Sequence, residues 1–463
     1  MFISPSVSVS QPYDCLVIGS GPAGITTALE LAKANRKVLI FESGTADEAR
    51  TDMLNAFNAG HFRDDWWDKH SIRVLGGTSR VWTGWCATLM ERDFNNPAVG
   101  VRWPITKSTL APYYRRAAAI LDRNPAALDL ERRWAPGFLF RPFSREPPTR
   151  FGAKYFDVLE ESAAIHVALS CSVVGLEPNS SRSAVDRLSY FHHPSGETRQ
   201  LAVDPAQSVV LAGGGIGNAQ LLLQPRPDGG VATGNESGLV GKFLMEHPHV
   251  GRGAELVLDE EIERQPLPRD FGGVAPALVA DDEQTAAHGL LGCSVHLHRR
   301  TTDHPMVEYL SGKDGRPFHH YRALLRAEMS PSASNAVSLT GERNSAGLYR
   351  PIVRCAVGGD DFLSIEKTLR LLGQWLIESG KGRLRINNRR LYGNLTGGGH
   401  LMGTTRMGSS SRDSVVDSDC RVHGYDNLFV AGSSVFPSTG YANPTLTIVA
   451  LALRLADTLA TLR

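Results

Sequence analysis

Residues 13–44 read YDCLVIGSGPAGITTALELAKANRKVLIFESG, and this stretch decides which fold the chain adopts. CLVIG is a continuous apolar run of the kind that lies buried on both faces of a parallel sheet. Gly19, Gly21 and Gly24 then give G-x-G-x-x-G where a helical stretch opens, ITTALELAKA, and KVLIFE is a second strand ending in Glu42, 18 residues past Gly24. The glycines have separate physical reasons. Gly19 makes the tight turn, Gly21 lets the backbone approach a pyrophosphate, and Gly24 lets helix and strand pack closely. Glu42 stands where a carboxylate accepts hydrogen bonds from a ribose diol. A glycine motif alone is a weak signal. Strand, glycines, helix, strand and acid together specify an α/β unit for the ADP half of a dinucleotide. NAD and FAD both remain open, whereas a carboxylate at this position would repel the 2′-phosphate of NADP.

Downstream, SIRVLGGTSRVWTGWCATLMERDF (71–94) contains a small-residue loop, Gly76 to Gly84, whose backbone can lie against a flat ring system. WPITKSTLAPYYRRAAAILD (103–122) reads as a capped amphipathic helix. Residues 123–150 read as a connecting or lid-like excursion. AAIHVALSCSVVGLE (163–177) has strand character, and SVVLAGGGIGNAQLLLQ brings a second strand, glycine turn and helix without a ribose acid. That second turn is expected to pack against the same dinucleotide. From 251 to 384 apolar alternation and frequent turns predict a mainly antiparallel sheet covered by one helix, DFLSIEKTLRLLGQWLIESG (361–380). The glycine-rich mixed pattern then returns. The expected organisation is a discontinuous dinucleotide domain, 10–250 and 385–463, around a substrate domain, 251–384.

The last seventy residues hold TGGGHLMGTTRMG, with His400, and, 43 positions past it, Asn443 in STGYANPTLTIVALALRLADTL. Asn443, Pro444 and a long apolar-periodic run predict a helix start with Asn443 in the N-cap region. A helix N-terminus suits anything that becomes negative during a reaction. By pattern alone His400 is equally a structural histidine in a glycine turn, and Asn443 a plain cap. His247, His249 and His423 read as structural, and Trp66 and Trp67 as packing.

Composition narrows the class. The chain has 463 residues, 42% of them hydrophobic, enough for more than one core. Forty-nine Lys and Arg balance 48 Asp and Glu, so nucleic acid and anionic membranes are poor partners. Six scattered cysteines without CxxC spacing imply free thiols in a reducing compartment, and MFISPSVSVSQP lacks the basic region of a signal peptide. The expected location is cytoplasmic, with no membrane span and no metal site. Oligomeric state leaves no mark.

In their order the motifs resemble the glucose–methanol–choline (GMC) oxidoreductases, FAD-dependent enzymes that oxidise alcohols and sugars. The resemblance covers nearly the whole chain: the N-terminal fingerprint with Glu42, GGTSRVWTG, the WPI helix, VVLAGGGIGNAQLLL, GKFLMEHP, EMSPSASNAVSL, HLMGTTRMG and NPTLTIVALALRLAD. It implies a Rossmann-type FAD-binding domain with an antiparallel substrate domain. The Asn-Pro ending resembles the pyranose-oxidase and cholesterol-oxidase branches, which pair histidine with asparagine. On that resemblance His400 and Asn443 form the catalytic pair, and Gly77, Thr78, Thr83, Val173, Gly213, Gly432, Ser433, Pro444 and Thr445 join Gly19, Gly21, Gly24 and Glu42 at the cofactor. Val81 stands in the segment where some sugar oxidases carry a flavin-linking histidine, so non-covalent FAD is expected. His400 would take the hydroxyl proton, since imidazole titrates near neutral pH, and flavin the hydride. Electrons then pass to O2 or another acceptor. Phe318, His319, His320 and Tyr321 are expected to wall the substrate pocket and favour a sugar or glycoside. Two rivals stay open: a nicotinamide-dependent dehydrogenase, and a flavoprotein catalysing a net non-redox, lyase-type step.

Overall fold

The computed structural model of the chain describes residues 1–3, 12–128, 130–141, 143–261, 274–275 and 277–462. The N-terminal segment 4–11, the domain start at residue 10 and parts of 123–150 and 251–384 lie outside the described residues.

Five short strands form a parallel sheet in the order Leu428–Val430, Ser208–Leu211, Cys15–Ile18, Val38–Phe41, Ile165–Ala168. Cys15 pairs with Ser208 on one side and with Val38 on the other, so the opening strand is central. Almost every side chain of these strands is buried, which is why they are read as unbroken apolar runs. Gly19 has φ +109°, and a Cβ there would lie 2.6 Å from the Ala212 carbonyl oxygen. A Cβ on Gly24 would lie 2.0 Å from the carbonyl oxygen of Gly19. The two glycines therefore let the helix Pro22–Lys33 and the strand before Ala212 close on the first strand. The terminal helix Thr445–Thr461 buries Leu446, Val449, Ala450 and Leu453 and packs on the helices Pro22–Lys33 and Lys107–Ile120. The chain's last strand and last helix thus complete a layer begun by its first.

The second layer is an eight-stranded, largely antiparallel sheet. Its order is Gly382–Ile386, Pro248–Leu258, His319–Ala327, Cys293–Arg300, Ala277–Ala280, Phe138–Phe140, Arg132–Ala135, with Leu395–Gly397 also pairing Pro248–Leu258. The helix Gly359–Glu378 covers it through Ile365, Leu369, Leu372 and Leu376. Two features differ from the sequence expectation. Within the stretch read as a connecting or lid-like excursion, Arg132–Ala135 is the edge strand of this sheet and Phe138–Phe140 lies next to it, paired on its other side with Ala277–Ala280. The sheet also runs beyond 251–384 at both ends, because the strand that starts at Pro248 recruits Leu395–Gly397. Among the described residues all six cysteines are buried free thiols, and no helix is long and apolar enough to cross a membrane.

Candidate active site

A cavity of about 800 Å³ runs between the two layers, from Glu42 at one end to Asn443 at the other. Of the residues assigned from sequence to the cofactor, Gly19, Gly21, Glu42, Gly77, Thr78, Thr83, Val173, Gly213, Gly432, Ser433, Pro444 and Thr445 all line it. Gly24 does not. Its contact with Gly19 makes it a packing position.

The Glu42 end fits FAD on three observations. First, a Cβ on Gly21 would meet no atom within 4 Å, so the backbone there is open to an approaching phosphate. Second, the Glu42 carboxylate accepts from Ser20 N at 3.1 Å, Ser20 Oγ at 2.6 Å and Gly44 N at 2.9 Å, which fixes its orientation at the cavity wall. Burial pushes its pKa up, and the Gly44 and Ser20 donors and Arg73 pull it back. Third, Arg73 holds Gln220 at 3.1 Å but leaves a buried Nη1 without a partner beside the cavity, a cation suited to a pyrophosphate. Arg73 lies in SIRVLGG and was missed, because its reach to Gln220 spans 147 residues. The second glycine turn serves the same cavity: Gly213 lines it, and a Cβ on Gly215 would lie 2.3 Å from the Leu401 carbonyl oxygen. Val81 also lines the cavity, half-exposed, and offers no nucleophile for covalent attachment.

At the other end His400 and Asn443 meet, with His400 Nε2 3.1 Å from Asn443 Nδ2. Protons along this contact follow from its neighbours. Arg326 Nη1 lies 3.0 Å from Asn443 Oδ1, and a guanidinium only donates, so that amide atom is the oxygen. Asn443 Nδ2 therefore donates to His400 Nε2, which is the unprotonated nitrogen of that ring. The His400 proton then sits on Nδ1 and is donated to His247 Nδ1 at 2.8 Å. His247 carries its own proton on Nε2, turned toward the Thr439 and Gly440 carbonyls without a well-formed hydrogen bond. Burial first, then His247, His249, Arg326 and His70, hold the His400 pKa well below the usual imidazole value. Burial likewise takes His247 down to about 4. Both rings are neutral at neutral pH.

Glu246 sets the loop that carries His400. Its buried carboxylate accepts from the backbone N–H groups of His247 (2.8 Å), Gly398 (3.2 Å), Gly399 (2.9 Å) and His400 (2.7 Å), and from Trp66 Nε1 (3.1 Å). Burial raises its pKa to about 7 against the pull of those donors. Trp66 is thus a brace as well as packing.

Several sequence expectations change here. The terminal helix begins at Thr445 with Pro444 in the cap position, one residue later than expected, and no side chain caps it. Asn443 is consequently free to hold His400. His247, His249, Glu246 and Arg326, read as structural or passed over, surround the pair. The spacing in MEHPH, two histidines two residues apart entering a strand, is the signal that was available. Phe318, His319 and His320 line a separate cavity of about 320 Å³, and Tyr321 is fully buried. At roughly 3.3 Å per residue, the strand carries them far from its Arg326 end, so they cannot wall this pocket.

Residues 331–452 match a family model described as GMC oxidoreductase, and residues 14–54 one described as an FAD binding domain. Over 98% of its length the chain is 27% identical to the 6'''-hydroxyparomomycin C oxidase of Streptomyces lividus, covering 92% of that protein. It is 28% identical to the fructose dehydrogenase large subunit of Gluconobacter japonicus over 58% of this chain and 49% of that one. A solved structure of formate oxidase shares the fold, with a TM-score of 0.60 at 16% identity over 96% of this chain and 98% of the other.

Proposed function

Since this chain is an FAD-dependent oxidoreductase of the glucose–methanol–choline family, we propose that it oxidises an alcohol carbon, on a sugar or glycoside, to a carbonyl with His400 as the base. The observation that carries this reading is the proton order Arg326, Asn443, His400, His247, which leaves the unprotonated Nε2 of His400 beside an amide donor at the cavity wall.

In this reading the alcohol oxygen displaces the direct hydrogen bond between Asn443 and His400 and takes its place between the two side chains. It accepts from Asn443 Nδ2 and donates its proton to His400 Nε2. FAD, when bound, supplies the hydride acceptor that no side chain provides. Glu42, Gly21 and Arg73 hold the nucleotide half, while Pro444 and Thr445 place a helix N-terminus where negative charge is favoured. His247 accepts from His400 Nδ1 throughout, so the ring cannot rotate as it gains a proton. Burial and Arg326 disfavour the resulting imidazolium, which makes His400 a short-lived holder of the proton that passes it on. For the sugar class, the support is the name of the fructose dehydrogenase relative.

The test is a panel of sugars, glycosides and simple alcohols mixed anaerobically with the FAD-loaded enzyme, read by loss of the visible flavin absorbance. Bleaching by sugars ahead of simple alcohols is expected. Bleaching by no alcohol at all would overturn the activity, and a preference for simple alcohols would overturn the sugar class.

A further inference from the structure

Arg326 sits on the floor of the cavity with an unusual set of neighbours. It projects from the strand His319–Ala327, is 6% exposed, and its guanidinium lies 3.9 Å from the centre of the Trp85 ring. Its side chain donates to Asn443 Oδ1, its Nε is buried without a partner, and among the described residues no carboxylate forms an ion pair with it. Arg141, equally deep, is different: Thr88 and Tyr441 accept from it, and Tyr441, Asp93 and Glu131 push its pKa up. For Arg326 only burial acts, taking the pKa down to about 10, which leaves the group charged at neutral pH. The nearby acids are committed elsewhere. Glu246 is filled by five donors, and Glu328, just past the end of the strand, accepts from the Gly292 and Gly440 amides.

His249 stands beside it. His249 and Arg326 are cross-strand partners, so their side chains leave the sheet on the same face, and both line the cavity. The Nε2 of His249 is buried and has no hydrogen-bond partner. Two nitrogen-bearing groups therefore stand side by side on one wall, one of them cationic, each with a buried nitrogen left unpaired. A buried cation without a counter-charge is costly unless an anion completes it. The base is next to it, because a single amide group, that of Asn443, touches Arg326 through its oxygen and His400 through its nitrogen.

We propose that Arg326 and His249 form the seat for a carboxylate borne next to the carbinol carbon, so that the preferred substrates are hydroxy acids or sugar acids. The inference rests on the reading of His400 Nε2 as the place of the reacting hydroxyl. A guanidinium takes a planar two-oxygen anion better than any other side chain, and stacking on Trp85 holds its plane. An alkoxide forming during the reaction would be served by Asn443 and His400 already, whereas a permanent charge matches a permanent anion.

The FAD-loaded enzyme is titrated with 2-hydroxyisobutyrate, whose carbinol carbon has no hydrogen to lose, and separately with tert-butanol, its neutral counterpart. Binding is read by calorimetry and by the shift of the flavin spectrum. In the wild type the acid is expected to bind at least tenfold more tightly than the alcohol. In Arg326→Gln that preference disappears, with FAD content and melting temperature serving as folding controls, and Arg326→Lys keeps part of it. Equal binding of acid and alcohol in the wild type, or a preference that survives Arg326→Gln, would overturn the proposal. So would an Arg326→Gln enzyme that loses flavin reduction equally with acidic and neutral alcohols while its binding preference stays intact. These binding readouts need no turnover, so they stand apart from the panel that tests alcohol oxidation itself.

Discussion

In the proposed reaction the role of His400 depends on which nitrogen holds the proton, and that is set by a residue 117 positions from Asn443 in sequence, Arg326. A neutral, buried imidazole with a depressed pKa is a base that stays available as the solution is acidified. The activity of the wild type should therefore hold from neutral pH to well below 6.5 before falling, measured as kcat/KM against pH. Linkage has the same sign: the stability contributed by His400 is present above its unfolded value of about 6.5 and is lost as the pH falls through the depressed native value. Replacing Asn443 by Asp puts a carboxylate against Nε2, favours the imidazolium, and should move the acid limb upward by on the order of one unit. An unchanged limb in Asn443→Asp would show that the amide does not face the base. At this scale the pair His400 and Asn443 was legible through the order of motifs. Their supporting residues were not, because His247 meets His400 across 153 positions and Glu246 meets its backbone across 154. The MEHPH spacing marks these residues but not the partner they reach.

Among the elements, the glycine turn was the most readable, since its requirements are steric and local. Its three glycines nevertheless do different things, and substitution separates them. Gly24→Ala drives a methyl into the Gly19 carbonyl and should cost the fold at least about 2 kcal/mol, seen as a lower melting temperature. Gly21→Ala meets open space within the protein, so the chain should fold with little loss yet retain less FAD after gel filtration. Equal destabilisation by both changes would contradict the division of roles. The terminal helix was readable from its apolar period, but its first residue was not. Its cap position falls on Pro444, whose carbonyl accepts from Ile448, one residue past the expected Asn443. The stretch 132–140 misled for a related reason: strands of three and four residues carry little alternation to read, and they are identified only by the pairing of 138–140 with 277–280 and of 132–135 with 138–140.

Across the whole molecule, the cavity is a seam between two cores, one around the parallel sheet and one under the antiparallel sheet. A ligand filling it binds the native state alone. Adding FAD at a hundred times its dissociation constant should therefore stabilise the protein by about 2.7 kcal/mol, read as a rise in melting temperature that grows with FAD concentration. The two-layer plan could be read from a change in periodicity near residue 250. The walls of the substrate pocket could not, because strand direction decides which end of His319–Ala327 faces the cavity, and that is a property of the assembled sheet. In the proposed function the two ends of the chain build one redox site, with His400 as the base. Its most direct test is the rate of anaerobic flavin reduction at pH 7 in the FAD-loaded wild type and in His400→Ala, using the most reactive alcohol of the panel. A loss of roughly 10²–10⁴-fold, partly restored by added imidazole, with FAD content unchanged, is the predicted result. Reduction of His400→Ala at the wild-type rate would contradict it.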